Sequence, residues 1–296
     1  MSVSNASGLP MFFRREGVRG FALMSPSFIF ALLLLAVPIG VIITFSFWTQ
    51  NYLDIDTTLT LQNYREVFEK PIYGVLLQRS LIVAGSVTFL TVILAYPLAY
   101  YVAFHVHQRK ALWIFLITIP FWTSYLLRIF AWKLILGYNG VVNTSLMEIG
   151  LINEPLDFIL YNMNAVILTL SHAWMPFAIL PIYVSLQKID RSYLEAATDL
   201  GDGPIRRFLR VTLPLSLPGV LAAMVVVFIP TIGDYVTPKL VGGTDGLMIA
   251  NMIQVQFGKA NNWPLGAALA VTTMVTVTLV ATGFVFFAKW LGGRAR

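Results

Sequence analysis

The sequence predicts an all-α integral membrane protein with six transmembrane helices and both termini in the cytoplasm. Three observations predict it. Charged residues are only 11% of the 296, where a soluble domain carries about 25%. Hydrophobic residues reach 57%, and the mean hydropathy is +0.76. The few charges are also unevenly placed, leaving six long runs without Asp, Glu, Lys or Arg: Gly20–Leu53, Ser80–Gln108, Ala111–Leu127, Phe158–Gln187, Val211–Gly233 and Ala260–Ala288. A bilayer core needs roughly 20 apolar residues per helix, so each run holds about one span. This composition excludes a disordered chain and argues against a soluble globular enzyme. The net charge of +6 is no sign of nucleic-acid binding, because membrane proteins collect Lys and Arg on the cytoplasmic side. With no cysteine, thiol catalysis, disulfides and zinc–thiolate sites are excluded.

Residues 1–19 read as a cytoplasmic tail and 20–296 as one membrane domain. Arg14, Arg15 and Arg19 precede a first apolar stretch too long for a cleavable signal. The spans are placed near 21–47, 80–105, 111–132, 162–187, 217–237 and 265–291. Each is apolar on all sides, as expected where every face meets lipid or another helix. The run Leu134–Met147 contains Gly137, Asn139, Gly140 and Asn143 and reads as a loop with a short surface helix. With the N-terminus inside, the inner segments carry 13 of the 20 Lys and Arg residues, which sets both termini in the cytoplasm. Pro38, Pro97, Pro120, Pro176, Pro181 and Pro230 fall inside spans, and each removes a backbone donor. Such breaks suit irregular helices around a path better than a simple anchor.

The inner connection at 188–216 is the segment that a bland membrane protein would not need. Ser192 with Glu195 three residues on has capping-box spacing. Gly201 and Gly203 end that helix, and Pro204 suits the first turn of a second one over 204–211. Ile205, Phe208 and Leu209 would share one side of it, with Arg206, Arg207 and Arg210 on the other. A basic amphipathic helix resting on anionic lipid would look similar. Composition alone leaves that reading and docking by another protein about even. Glu195-Ala196-Ala197, three residues, Gly201, nine residues, Val211, one residue, Leu213-Pro214 resembles the EAA loop of bacterial ABC importer permeases. The family pattern has Ile where this chain has Val211, and Asp202-Gly203 is a less usual continuation.

That resemblance implies an ABC importer type I permease fold and a coupling loop that docks into a groove on an ATP-hydrolysing partner. The residues it carries over are Glu195, Ala196, Ala197, Asp199, Gly201, Pro204, Arg206, Arg207 and Phe208, in helix-in-groove recognition. It implies a second homologous permease as a pseudo-symmetric partner, two ATP-binding cassette subunits, and a periplasmic or lipid-anchored substrate-binding protein. ATP and Mg would be bound by the partner ATPase, and no cofactor by this chain. The only Gly-Lys pair, Gly258-Lys259, is followed by Ala260 and lacks the rest of a phosphate-binding loop, so no ATPase activity is expected here.

Further segments resemble the first-type permease subunits of spermidine/putrescine importers: Leu59–Tyr64, Pro120–Trp132, Gly140–Asn143, Pro176–Tyr183, Ile229–Gly243 and Asn262–Pro264. A polyamine substrate is the expectation, and other small amines or aminophosphonates share much of the pattern. The residues themselves point the same way. Asp234 lies at the edge of span five, and a carboxylate near hydrocarbon is a functional hypothesis by default. Tyr235, Phe121, Trp122 and Tyr125 offer aromatic faces for ammonium groups. Equally, Asp234 could pair with Lys239, Arg128 or Lys133 at the membrane surface. His172 reads as a packing histidine within a span. Neither an ion-driven secondary transporter nor a membrane enzyme finds enough buried ionisable or clustered catalytic groups, and neither explains the EAA spacing.

Overall fold

A computed structural model describes residues 16–52 and 54–293. Residues 1–15, most of the expected N-terminal tail, lie outside the described residues, as do Arg294 and Arg296. The architecture is helical. Helix α1 covers Glu16–Ser46, and a two-stranded antiparallel hairpin follows, β1 (Thr49–Asn51) on β2 (Asp54–Asp56). These short strands are the only ones among the described residues. A small helix α2 (Gln62–Glu69) leads into α3 (Pro71–Tyr100), which a π-helical turn extends over Tyr101–His105. Next come α4 (Lys110–Trp122), α5 (Tyr125–Leu136), α6 (Val141–Glu148) and α7 (Met163–Gln187). The remaining helices are α8 (Arg191–Asp199), α9 (Pro204–Arg207), α10 (Leu213–Gly233), α11 (Val236–Val241), α12 (Ile249–Phe257) and α13 (Trp263–Gly293).

Five stretches are long and apolar enough to cross a membrane alone: Leu23–Ser46, Pro71–His105, Met163–Gln187, Pro204–Gly233 and Trp263–Phe286. The sixth span is α4 with α5 and its continuation, bent by 82° at the break between them.

Three boundaries differ from the sequence reading, each for a physical reason. Span two begins at Pro71, not near 80. Arg79 stopped the charge-free run, yet its guanidinium donates to the carbonyls of Thr244 at 3.2 Å and Leu247 at 3.3 Å, so the charge is satisfied inside a continuing helix. Span three is not one helix over 111–132. Helix α4 ends at Trp122, and Thr123 and Ser124 adopt extended backbone before α5, three residues after Pro120. Span five starts at Pro204 rather than 217, because α9 runs through a π turn at Phe208–Thr212 directly into α10. It also ends earlier, at Gly233, with α11 as a separate element. The Leu134–Met147 stretch contains the expected short helix, α6, although α5 extends to Leu136. Buried Asn143 organises the loop there: it donates to Gly137 O and accepts from the Leu156 N–H at 3.0 Å.

The core is the packing of α3, α7 and α10. Val83, Val87, Leu170, Ile179, Ile182 and Val227 are fully or almost fully buried in it. A second cluster joins Phe228 and Ile232 of α10 to Leu265 and Leu269 of α13. Contact between α7 and α10 is close because Gly219 has no side chain. A Cβ there would meet Ser185 Cβ at 2.3 Å and Pro181 O at 2.5 Å. By contrast, α1 presents exposed Phe28, Phe30, Leu33 and Leu35 along its length, a surface fitted to lipid or another helix.

Candidate functional site

Two sites stand out. The first is the helix–turn–helix at 190–212. Helix α8 begins at Arg191, and its N-cap is Asp190, whose carboxylate accepts from the Ser192 N–H at 3.0 Å. The expected Ser192 cap is therefore corrected: Ser192 already lies in the first turn, and Asp190 is the better-placed acceptor. The Ser192 backbone N–H, and then its hydroxyl, hold the Asp190 carboxyl below its ordinary value. At the other end Asp202 N–H reaches Ala197 O at 3.0 Å and Gly201 N–H reaches Thr198 O at 2.9 Å. Those two bonds form a Schellman cap, which requires a left-handed residue at its C′ position. Gly201 supplies it at φ +85°.

The turn is fastened across its two helices. Arg207 donates to Thr198 Oγ1 at 2.9 Å, and Arg210 pairs with Asp202 at 3.3 Å. Arg191 donates to Phe104 O at 3.3 Å, tying α8 to the end of span two. Phe208 turns inward, its ring 5.5 Å from Tyr96 in an edge contact and 6.3 Å from Tyr100. Tyr96 in turn shares a 2.7 Å hydrogen bond with Ser216 of α10. The predicted apolar side of the second helix is thus divided. Phe208 is anchored, while Ile205 and Leu209 are exposed, because the helix joins span five and only one face can meet Tyr96. Ala197 is buried at 7% exposure, whereas Glu195, Ala196, Asp199, Pro204 and Arg206 face outward. Leu200 is 87% exposed beside them. A groove of about 330 Å³ lies between α8 and the end of span two, lined by Tyr100, His105, Glu195 and Asp199 among others. The result is a braced knob whose outer surface mixes apolar, acidic and basic side chains, fixed directly to spans two and five.

The second site lies where span three breaks and span five ends. Asp234 follows the last residue of α10 and is 8% exposed. Its Oδ1 accepts from the Val236 N–H at 2.9 Å and the Thr237 N–H at 3.3 Å, holding the first turn of α11. Its Oδ2 accepts from the Tyr125 hydroxyl at 2.5 Å. Tyr125 has one proton to give, so the Thr237 hydroxyl donates in their 2.8 Å contact. The ion pairs among the described residues are Arg65–Glu69, Lys70–Glu66 and Arg210–Asp202. Asp234 does not take Lys239, Arg128 or Lys133 as an ion-pair partner. Its three donors leave part of a carboxylate's roughly four acceptor positions free.

The aromatic residues named from sequence are brought to this region unequally. Tyr125 opens α5 directly against Asp234. Phe121 stacks edge-on to Phe177 at 4.7 Å, and Trp122 packs on Phe115 with 72% exposure. Tyr235 is 44% exposed, and its carbonyl accepts from buried Asn251 at 2.7 Å. Sequence reasoning named Arg128 only as a possible partner of Asp234, but its guanidinium carbon is 5.8 Å from the ring centres of both Phe121 and Tyr125. The missed signal was a guanidinium within the predicted span itself. His172 accepts at Nδ1 from Trp132 at 3.1 Å, which joins α7 to α5 as a packing histidine would. A helix of 13 residues rises about 20 Å, so the break at Thr123–Ser124 falls within a core of about 30 Å. Non-helical backbone at that depth is tolerated where it is buried in protein or lines a wet cavity.

A broken span meeting the end of another at a buried carboxylate, with a braced helix–turn–helix at the far end, suits a membrane transport path. The chain belongs to the family of binding-protein-dependent transport system inner membrane components, which it matches over residues 17–296. It is 36% identical over 240 residues to the spermidine/putrescine transport system permease protein PotB of Escherichia coli K12, covering 81% of this chain and 85% of that protein. The Haemophilus influenzae PotB is 36% identical over 230 residues, covering 77% and 79%. The inner membrane ABC transporter permease protein YdcU of E. coli is 35% identical over 253 residues, covering 81% and 78%. Among solved structures, a bacterial alginate ABC transporter in complex with a pentasaccharide-bound periplasmic protein has a similar fold, with TM-score 0.68, 16% identity and 96% of each chain covered. The chain is therefore a multi-pass permease component of a binding-protein-dependent transport system of the inner membrane.

Proposed function

We propose that this permease forms half of the path of an ATP-driven polyamine importer, with both termini in the cytoplasm. A second, homologous permease completes the path. Two ATPase subunits hold ATP and Mg and dock on the inner loops, and a periplasmic or lipid-anchored protein delivers the substrate. The observation that carries the substrate class is the 36% identity over 81% of the chain to a permease named for spermidine and putrescine.

Glu195, Ala196, Asp199, Pro204 and Arg206 form the face offered to the ATPase. Ala197, Gly201, Arg207 and Phe208 hold that face in shape. Closure of the ATPase pair around nucleotide moves the knob, and its anchorage through Arg191 and Phe208 passes the motion to spans two and five. The cavity then alternates between inward and outward access, driven by differential nucleotide affinity of the two states. In the membrane, Asp234 offers its remaining lone pair to an ammonium group. Tyr235, Phe121, Trp122 and Tyr125 add aromatic faces for the same chain of charges.

The test is ATPase activity of the assembled complex in lipid with its binding protein, comparing spermidine, putrescine and an aminophosphonate. Stimulation by the polyamines supports the proposal. Stimulation by the aminophosphonate alone would keep the permease and replace its cargo.

A further inference from the structure

Arg128 is held in an unusual way. Its guanidinium stands over Phe121 on one side of the Thr123–Ser124 break and over Tyr125 on the other, 5.8 Å from each ring centre. Phe121, Tyr125 and Arg128 have i, i+4, i+7 spacing, which would share one face of an unbroken helix, and both rings still face the cation across the break. Its only hydrogen bond among the described residues is a long one, 3.4 Å to Ala173 O, and its buried Nε has no partner. None of the ion pairs among the described residues includes it. An arginine has five N–H donors, and half-buried Arg128 spends few of them on protein acceptors. The aromatic pair that would receive a substrate ammonium group is therefore already occupied by a cation of the protein itself. Asp234 lies behind the same Tyr125, accepting its hydroxyl proton.

We propose that Arg128 is a specificity-determining residue, a tethered cation that competes with the substrate for the Phe121–Tyr125 ring pair and keeps the path's affinity for ammonium groups low. The inference rests on the polyamine reading above. Its logic is that of any conduit: binding must be favourable enough for entry and weak enough for release. A cation–π pair beside a carboxylate would hold a multivalent amine tightly. A guanidinium on a short tether lowers that affinity without removing the site, because exchanging one cation for another on the same rings gains little. It swings back as the substrate leaves, so the rings do not trap the last ammonium group.

The experiment is equilibrium binding of radiolabelled spermidine to the whole importer complex in nanodiscs, without the binding protein. Wild type is compared with Arg128→Gln, Arg128→Lys and Arg128→Met, the last keeping the aliphatic stem. The expected result is several-fold tighter binding in Arg128→Gln and Arg128→Met and near wild-type binding in Arg128→Lys. The gain should vanish when Tyr125→Leu is added, which a merely structural arginine would not require. Uptake by the uncharged variants should show a lower half-saturating concentration together with a lower maximal rate. Unchanged or weaker spermidine binding in both uncharged variants would overturn the inference. Were an aminophosphonate bound by wild type and lost in Arg128→Gln, Arg128 would be gripping an anionic group, which also overturns it. If no polyamine stimulates wild-type ATPase activity, the substrate reading fails first, and the two failures are told apart.

Discussion

At the residue scale, Asp234 carries the most informative chemistry. It satisfies three donors and joins α5 to the α10–α11 corner. Asp234→Asn keeps an acceptor for the α11 amides and removes the charge. The expected outcome is at least about a tenfold fall in uptake at limiting polyamine, equivalent to about 1.4 kcal/mol, with the complex still assembled. Unchanged uptake would leave Asp234 as a structural residue only. Asp190 makes a pH prediction. Its carboxyl titrates lower when folded than unfolded, so its cap on α8 is fully present above its ordinary value near 3.8 and is lost as pH falls through the folded value. Hydrogen exchange of the 191–199 amides should therefore show acid-induced fraying that is absent in Asp190→Asn. Equal acid sensitivity in both would remove Asp190 as the cap.

The same residues show what the sequence could and could not disclose. Gly201 was legible as a helix stop because a left-handed C′ position calls for glycine, and it is found at φ +85°. Ser192 was not legible as an interior residue, since Asp190 and Ser192 are both good caps and only the start of the helix decides between them. Asp234 was legible as unusual, but not its partners, because Tyr125 lies 109 residues away. Arg128 was named only as a partner for Asp234, although Phe121, Tyr125 and Arg128 at i, i+4 and i+7 share a helical face.

At the element scale, charge-free runs located all six spans but misjudged where they end. Arg79 and the carbonyls of Thr244 and Leu247 explain one error, and the Thr123–Ser124 break explains another. Counting charges records where cations occur, not whether folded carbonyls satisfy them. The α7–α10 contact depends on Gly219 in a way that hydropathy cannot indicate. Gly219→Ala should cost about 1–3 kcal/mol as overpacking, read as a lowered Tm of the assembled complex in detergent. An unaltered Tm would mean that α7 and α10 part easily, and would remove them as a rigid transmitter of motion.

At the scale of the whole molecule, the two sites lie at opposite ends of the same span. The Arg210–Asp202 pair fixes one end of the Pro204–Gly233 span to the turn of the 190–212 knob, and the Phe208 ring packs that end on Tyr96 of span two. Asp234 and Tyr125 bind the other end to the broken span three. A push on the knob therefore has a continuous helical route to the candidate substrate path, interrupted only by the π turn at Phe208–Thr212. The measurement that tests this account most directly is polyamine-stimulated ATPase activity of the reconstituted complex, wild type beside Glu195→Lys. Glu195 is exposed and makes no hydrogen bond or ion pair among the described residues, so the substitution should leave this chain folded. The account predicts stimulation in wild type and its loss, together with uptake, in Glu195→Lys. Stimulation and uptake unchanged by Glu195→Lys would contradict it and remove the 190–212 knob from the coupling path.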